Sequence, residues 1–271
     1  MPALFPPSAQ KSTAHKYQNL YKAIYRSALK LYNMKMTHTL HIIMPVKDAV
    51  ETCTQALNHL LPTLESPQQL TIYNDFSTEV NSARLQQMAM TYGCNIVHWA
   101  EHTQRPSPNY LLTLQDAQAK ALAAGAHLLV VESDVLVSVD TVNHLLQAVN
   151  DKAGMVAAVT VDRAGVINFP YLYARKMKGA CVATRKRLSF CCTLLTNNFL
   201  SAYDFQQLDS SKNWYDVFIS HKSVELGFVN YLLLDTPVVH LPHSSRPWKQ
   251  MKYTNPLRYY WRKLTQRLDK I

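Results

Sequence analysis

Residues 128–137 read Leu-Leu-Val-Val-Glu-Ser-Asp-Val-Leu-Val, an apolar run interrupted by two carboxylates, Glu132 and Asp134. A strand buried on both faces is a continuous series of Leu and Val, so charge is costly inside it and tolerable where it ends. The pair is therefore expected at the strand's C-terminal tip. In an open α/β sheet that tip is where ligands bind, and two convergent oxygen ligands suit a hard divalent cation carrying a diphosphate. An acidic-x-acidic triplet also arises by chance in a polar turn.

The flanking pattern favours such a sheet. A strand over Leu40–Pro45 is followed by a helix over Val50–Leu61, with Val50, Cys53, Leu57, Leu60 and Leu61 on one face. Next come a strand at Leu70–Tyr73, a helix at Val80–Tyr92, a short strand at Ile96–Trp99 and a helix near Tyr110–Ala124. Gly125 is expected to cap that last helix. The acidic strand follows, then a helix at Thr141–Val149 and a strand at Met155–Val161. Strands alternating with helices in this way predict an α/β fold with an open, mostly parallel sheet flanked by helices. Right-handed crossovers would bring the tips bearing Pro45, Asp75 and Asp134 to one edge. From 162 to 213 basic and aromatic residues mix around one apolar strand, Phe190–Leu195, which suggests a substrate-facing region.

Composition narrows the function classes. The 271 residues, 48% hydrophobic, can fill a globular core. Five cysteines with no CxxC pair fit neither a disulfide scaffold nor a zinc site and point to a reducing compartment. The chain contains no apolar run of membrane-spanning length and no signal-peptide pattern, so a cytoplasmic location is expected, with the inner face of a membrane as a variant. A net charge of +10 implies an anionic partner: nucleic acid, a membrane surface or a phosphorylated substrate. Nucleic acid is disfavoured because no recognition motif accompanies the charge. Leu257, Trp261, Leu264, Leu268 and Ile271 recur at helical spacing with Arg and Lys between them, and Tyr17–Lys35 is similar. Packing on the domain's own surface accounts for such basic amphipathic helices most simply; docking at a membrane interface is the alternative.

Only six glycines occur, and the turn after the first strand reads Met44-Pro45-Val46-Lys47-Asp48. Neither a GxGxxG loop nor a Walker A loop is available to hold phosphate on backbone amides, which argues against a dinucleotide oxidoreductase or a P-loop kinase. A diphosphate would have to be held by a metal and basic side chains.

Four segments together resemble the GT-A glycosyltransferases of the family 2 type. His41-Ile-Ile-Met-Pro45-Val-Lys-Asp48 is similar to their opening strand, and Asn74-Asp75-Phe76-Ser77 to their Asp-Asp-Gly-Ser signature. Glu132-Ser133-Asp134 falls where their DxD triplet sits, and Asp216 where their Glu-Asp motif lies. The match covers roughly 40–245. Asn74, Phe76, Glu132 and Tyr215 depart from the usual residues, and Asp116 takes the place of a frequent Asn.

The resemblance implies a GT-A, Rossmann-like fold with 1–39 as a flexible lead-in and basic helix, 40–161 as the nucleotide-sugar half, 162–250 as the acceptor and catalytic part, and 251–271 as a basic amphipathic helix. It implies an inverting glycosyltransferase of glycan biosynthesis, moving a sugar from a nucleotide-sugar, most simply a UDP-sugar, to a saccharide or lipid-linked acceptor. Asp75 would accept the uracil imide N–H, with Pro45 and Lys47 lining the slot. Asp134 and Glu132 would hold Mn²⁺ or Mg²⁺, with His240 or His243 as a nitrogen ligand, and Arg246 and Lys249 would clamp the diphosphate. Asp216 would be the general base, or else a helix cap. The competing expectation is a non-catalytic nucleotide- or glycan-binding module on the same scaffold.

Overall fold

The computed structural model describes residues 40–242 and 255–265, without the side chains of 262–264. The expected N-terminal helix, His243, Arg246 and Lys249 lie outside the described residues.

β1 (Leu40–Val46), β2 (Leu70–Asn74), β3 (Asn95–His98) and β4 (His127–Val131) form the parallel part of the sheet, in the order β3-β2-β1-β4. Their connections contain α1 (Val50–Leu60), α2 (Glu79–Tyr92), the single turn α3 (Trp99–His102) and α4 (Tyr110–Ala123). α2 starts where the Thr78 side chain accepts a hydrogen bond from the Asn81 amide and stops at Gly93, whose φ of 71° lies in the left-handed region that an L side chain resists.

The run 128–137 is not one strand. β4 ends at Val131, Glu132 closes the ladder by donating its amide to the Cys191 carbonyl at 2.9 Å, and a turn follows through Ser133 and Asp134. The remaining apolar residues form β5 (Val135–Leu136), which pairs with a different strand, β9 (Val229–His240). Charge could not be carried through the buried ladder, so the chain leaves it there.

Beyond β4 the pairing is mixed. β8 (Cys192–Leu195) is antiparallel to β4 and to β6 (Ala153–Val161); β6 is parallel to β9; and β7 (Cys181–Thr184) runs antiparallel along β9. One sheet thus crosses residue 161. α5 (Thr141–Gln147), α6 (Asn197–Ala202) and α7 (Tyr215–Glu225) complete the helices that cover it.

Alternation sorts the core onto two faces. Ile42, Met44, Leu129 and Val131 pack with α1, α2 and α5, while Ile43, Tyr73, Leu128 and Val130 pack with α4, α6 and α7. At Gly154 in β6 a Cβ would sit 2.1 Å from Ser223 Oγ and 2.7 Å from Phe228 Cβ, so the missing side chain is what lets α7 and its exit turn lie against the sheet. The C-terminal segment contains α8 (Pro256–Thr265).

Candidate functional site

The C-terminal tips of β1, β2 and β4 carry Lys47, Asp75 and Glu132 at one edge of the parallel sheet. Pro45, half-buried in β1, lies opposite Tyr73 of β2 in register and has no amide to donate. Lys47 folds over the neighbouring tip, its ammonium donating to the carbonyls of Phe76 at 2.8 Å and Asp75 at 3.3 Å. Asp48, with φ of 50°, accepts from the Thr78 amide at 2.7 Å and Asn81 Nδ2 at 3.1 Å. These two residues brace the rim.

Asp75 is heavily engaged by its own chain. Its Oδ2 accepts from Ser107 Oγ at 2.7 Å and the Asn109 amide at 3.0 Å, and its Oδ1 from Asn109 Nδ2 at 2.8 Å. An ionised carboxylate offers about four acceptor positions, so about one is left for a nucleobase. The residue expected to read uracil is thus also the latch of the loop before α4. Asp116 pairs with Lys120 at 2.6 Å and accepts from the Tyr73 hydroxyl.

A denser group gathers around Glu132. Asp134, 7% exposed, has Oδ2 3.7 Å from His240 Nε2. His240 ends β9, where β5 pairs with it, and its Nδ1 lies 3.1 Å from the Phe169 carbonyl. A carbonyl only accepts, so Nδ1 carries a proton there and Nε2 is the ring atom turned toward Asp134. The ligand atoms of Glu132, Cys191 and His240 all lie within 4.8 Å of one another. Cys191 Sγ donates to Glu132 Oε2 at 3.4 Å, and burial, reinforced by the Glu132 charge, holds the thiol well above its ordinary pKa. It stays a thiol, which leaves Glu132 and His240 of that group, with Asp134 beside His240, as donors of the type that suits Mn²⁺ or Mg²⁺.

Asp216 stands in the first turn of α7. Trp214 is the cap residue and makes no side-chain cap; Asp216 Oδ1 accepts from the Val217 amide at 2.9 Å. Burial pushes its carboxyl up to about 6, the Arg187 guanidinium pulls it down, and the charge of Glu132 raises it again. Arg187 Nη1 lies 3.6 Å from Asp216 Oδ2. Tyr110, the first residue of α4 and the neighbour of the Asn109 that holds Asp75, has its ring 6.4 Å from that of Phe190, tilted by 37°. Its hydroxyl is buried with no hydrogen-bond partner among the described residues, and after burial itself the charges of Glu132, Asp216 and Cys191 raise its pKa most.

Glu132 and His240 thus share one cluster of ligand atoms, Asp134 adjoins it at His240, and the charge of Glu132 reaches Asp216, while Asp75 and Lys47 stand along the rim. Sequence reasoning singled out none of Tyr110, Cys191 and Arg187; Arg187 is one of the basic residues between 162 and 213, and the place of Cys191 beside Glu132 depends on the β4–β8 pairing.

No family model matches the chain, and no curated protein matches it significantly. Solved structures do. The mannosyltransferase PcManGT from Pyrobaculum calidifontis, in complex with GDP-Man and Mn²⁺, superposes with a TM-score of 0.58 at 12% identity over 83% of this chain and 64% of that one. TarS 1-349 from S. aureus, in complex with UDP-GlcNAc, gives 0.58 at 15% identity over 82% and 63%. GalNAc-T7 with UDP, GalNAc and Mn²⁺ gives 0.52 at 10% identity over 77% and 45%. The chain spans less than two thirds of each of these proteins. The shared sheet, its flanking helices and the order of its elements identify the architecture of this chain as the GT-A glycosyltransferase fold.

Proposed function

We propose that the protein is an inverting, metal-dependent glycosyltransferase that moves a sugar from a nucleotide-sugar to a saccharide or lipid-linked acceptor. The observation that carries this reading is a half-buried carboxylate, Asp216, whose pKa is raised in part by the charge of Glu132, itself a member of a metal-type group of ligand atoms. Nucleotide-sugar complexes among proteins of the same fold support it.

An acceptor hydroxyl is a weak nucleophile at neutral pH. Asp216, once ionised, can take its proton as the new bond forms, and a pKa near 6 makes it a better base than an exposed Asp while leaving it ionised at pH 7. Arg187 holds one carboxylate oxygen in place. Glu132, Asp134 and His240 would hold the cation, and a bound divalent ion supplies Lewis-acid neutralisation of the departing nucleoside diphosphate. The rim residues Lys47, Asp75 and Pro45 remain the proposed nucleotide slot; Arg246 and Lys249 remain proposed clamps.

The alternative, a non-catalytic binding module, draws on Tyr215, buried where the family's motif has a Glu, and on the loop contacts that occupy Asp75. One experiment separates the two. Purified protein is offered a panel of nucleotide-sugars with Mn²⁺ and candidate acceptors, and nucleoside diphosphate release is followed beside donor binding. Release by the wild type that Asp216→Asn abolishes without weakening donor binding supports the enzyme; donor binding with no release, identical in both proteins, supports the module.

A further inference from the structure

α8 presents an apolar stripe to solvent. Leu257, Tyr260 and Trp261 are 85%, 53% and 68% exposed, whereas Tyr259 is 8% exposed. At 100° per residue the first three share one side of the helix and Tyr259 lies on the opposite side, so the helix rests on Tyr259 and turns its larger apolar face outward. Leu257 and Trp261 of the expected apolar face are thus turned to solvent, and Leu268, Ile271 and the side chain of Leu264 lie outside the described residues. Single exposed apolar residues are ordinary, but three within five positions, one an aliphatic and two aromatic, form a patch.

The charge of the adjoining sequence selects the partner. Residues 246–270 carry eight Lys and Arg against one acid, Asp269, and Arg258 on α8 is exposed beside the stripe. A second copy of the same patch meeting it about a two-fold axis would oppose like charges, which disfavours self-association through this face. An anionic bilayer offers what the patch lacks: headgroup phosphates for the cations, an acyl boundary for Leu257, and the interfacial layer that Tyr and Trp prefer.

We propose that α8 is an interfacial helix that docks the protein on an anionic lipid surface through Leu257, Tyr260 and Trp261, with the flanking Arg and Lys on the lipid phosphates. This assignment stands whether or not the protein transfers sugars. Among the described residues no helix is long and apolar enough to cross a membrane, so the contact is one of docking.

The test uses the full chain with phosphatidylcholine vesicles, with and without phosphatidylglycerol, in a sedimentation assay. The expected result is binding to the phosphatidylglycerol vesicles that falls with added salt, is weak on phosphatidylcholine alone, and drops by roughly tenfold or more in the Leu257→Ser, Trp261→Ser double variant. The same variant should melt like the wild type, since both side chains are exposed, and the wild type's tryptophan emission should shift to the blue on binding and fail to do so in Trp261→Tyr. Equal sedimentation of variant and wild type overturns the proposal. So does a wild-type dimer that the double variant dissolves, or binding to an oligonucleotide in place of vesicles.

Discussion

The Arg187 guanidinium lies 3.6 Å from the Asp216 carboxylate and over two aromatic rings, 5.3 Å from the centroid of Phe169 and 5.4 Å from that of Trp214. An Arg held by two aromatic rings has little freedom to leave, so Asp216 carries a fixed counter-charge.

That fixed pair gives a signed pH dependence. Asp216 must be ionised to accept a proton, so turnover should rise with pH through about 6 and level off above it. Removing the counter-charge in Arg187→Met should move the rise to higher pH; an unmoved midpoint would count against Asp216 as the base. Stability runs the other way. The folded-state pKa is raised above the ordinary 3.8, so the fold favours the protonated form, and that contribution is complete below pH 3.8 and lost as pH rises through about 6. Asp216→Asn should therefore melt above the wild type at neutral pH, by about 1–3 kcal/mol, with the gap closing in acid. Melting curves across pH check this.

Asp75 holds the loop before α4, and its role there can be separated from any part in base recognition. Asp75→Ala should release the Asn109 amide, seen as faster hydrogen exchange, and cost about 1–3 kcal/mol. Asp75→Asn keeps an acceptor oxygen and should retain most of the loop's protection. If that variant also binds UDP as the wild type does, the base is read elsewhere; a selective loss of UDP binding assigns the contact to Asp75.

Metal affinity should follow the ligand set. Asp134→Asn and His240→Ala are each expected to weaken Mn²⁺ binding at least about 10-fold by calorimetry. Cys191→Ser keeps a donor toward Glu132 and should leave binding near the wild-type level. A loss equal to that of the other two variants would make the sulfur a ligand.

The Tyr110 hydroxyl is buried without a partner among the described residues, which costs stability that Tyr110→Phe would recover. The variant should melt at the same temperature or higher, by up to about 1 kcal/mol, because the ring and its packing on Phe190 are kept. A drop in melting temperature instead shows that the hydroxyl has a partner in solution.

The regular half of the fold was legible because its signals are local. β1 to β3, α1, α2 and α4 follow from apolar period, with Gly125 stopping α4, and their observed boundaries differ from the expected ones by one residue; the single turn α3 was not expected, and β4 ends six residues before the apolar run does. The split of 128–137 was not legible. β5 leaves the run to pair with β9, about a hundred residues later in the chain, and no local pattern encodes that pairing. The antiparallel entry of β8 between β4 and β6 is similarly non-local, and it puts Cys191 beside Glu132.

The sequence by itself determined the alternation of strands and helices, the absence of a glycine-rich phosphate loop, and the acidic interruption that must fall at a strand's end. Those are consequences of side-chain period, of glycine count and of the cost of burying charge, and each is decided within a few residues. The tertiary structure alone decided which side chains meet: Arg187 on Asp216, His240 on Asp134, Cys191 on Glu132 and Asn109 on Asp75. Their separations in the chain run from 29 to 106 residues, and only the register of the sheet and the packing of the core fix contacts across such distances.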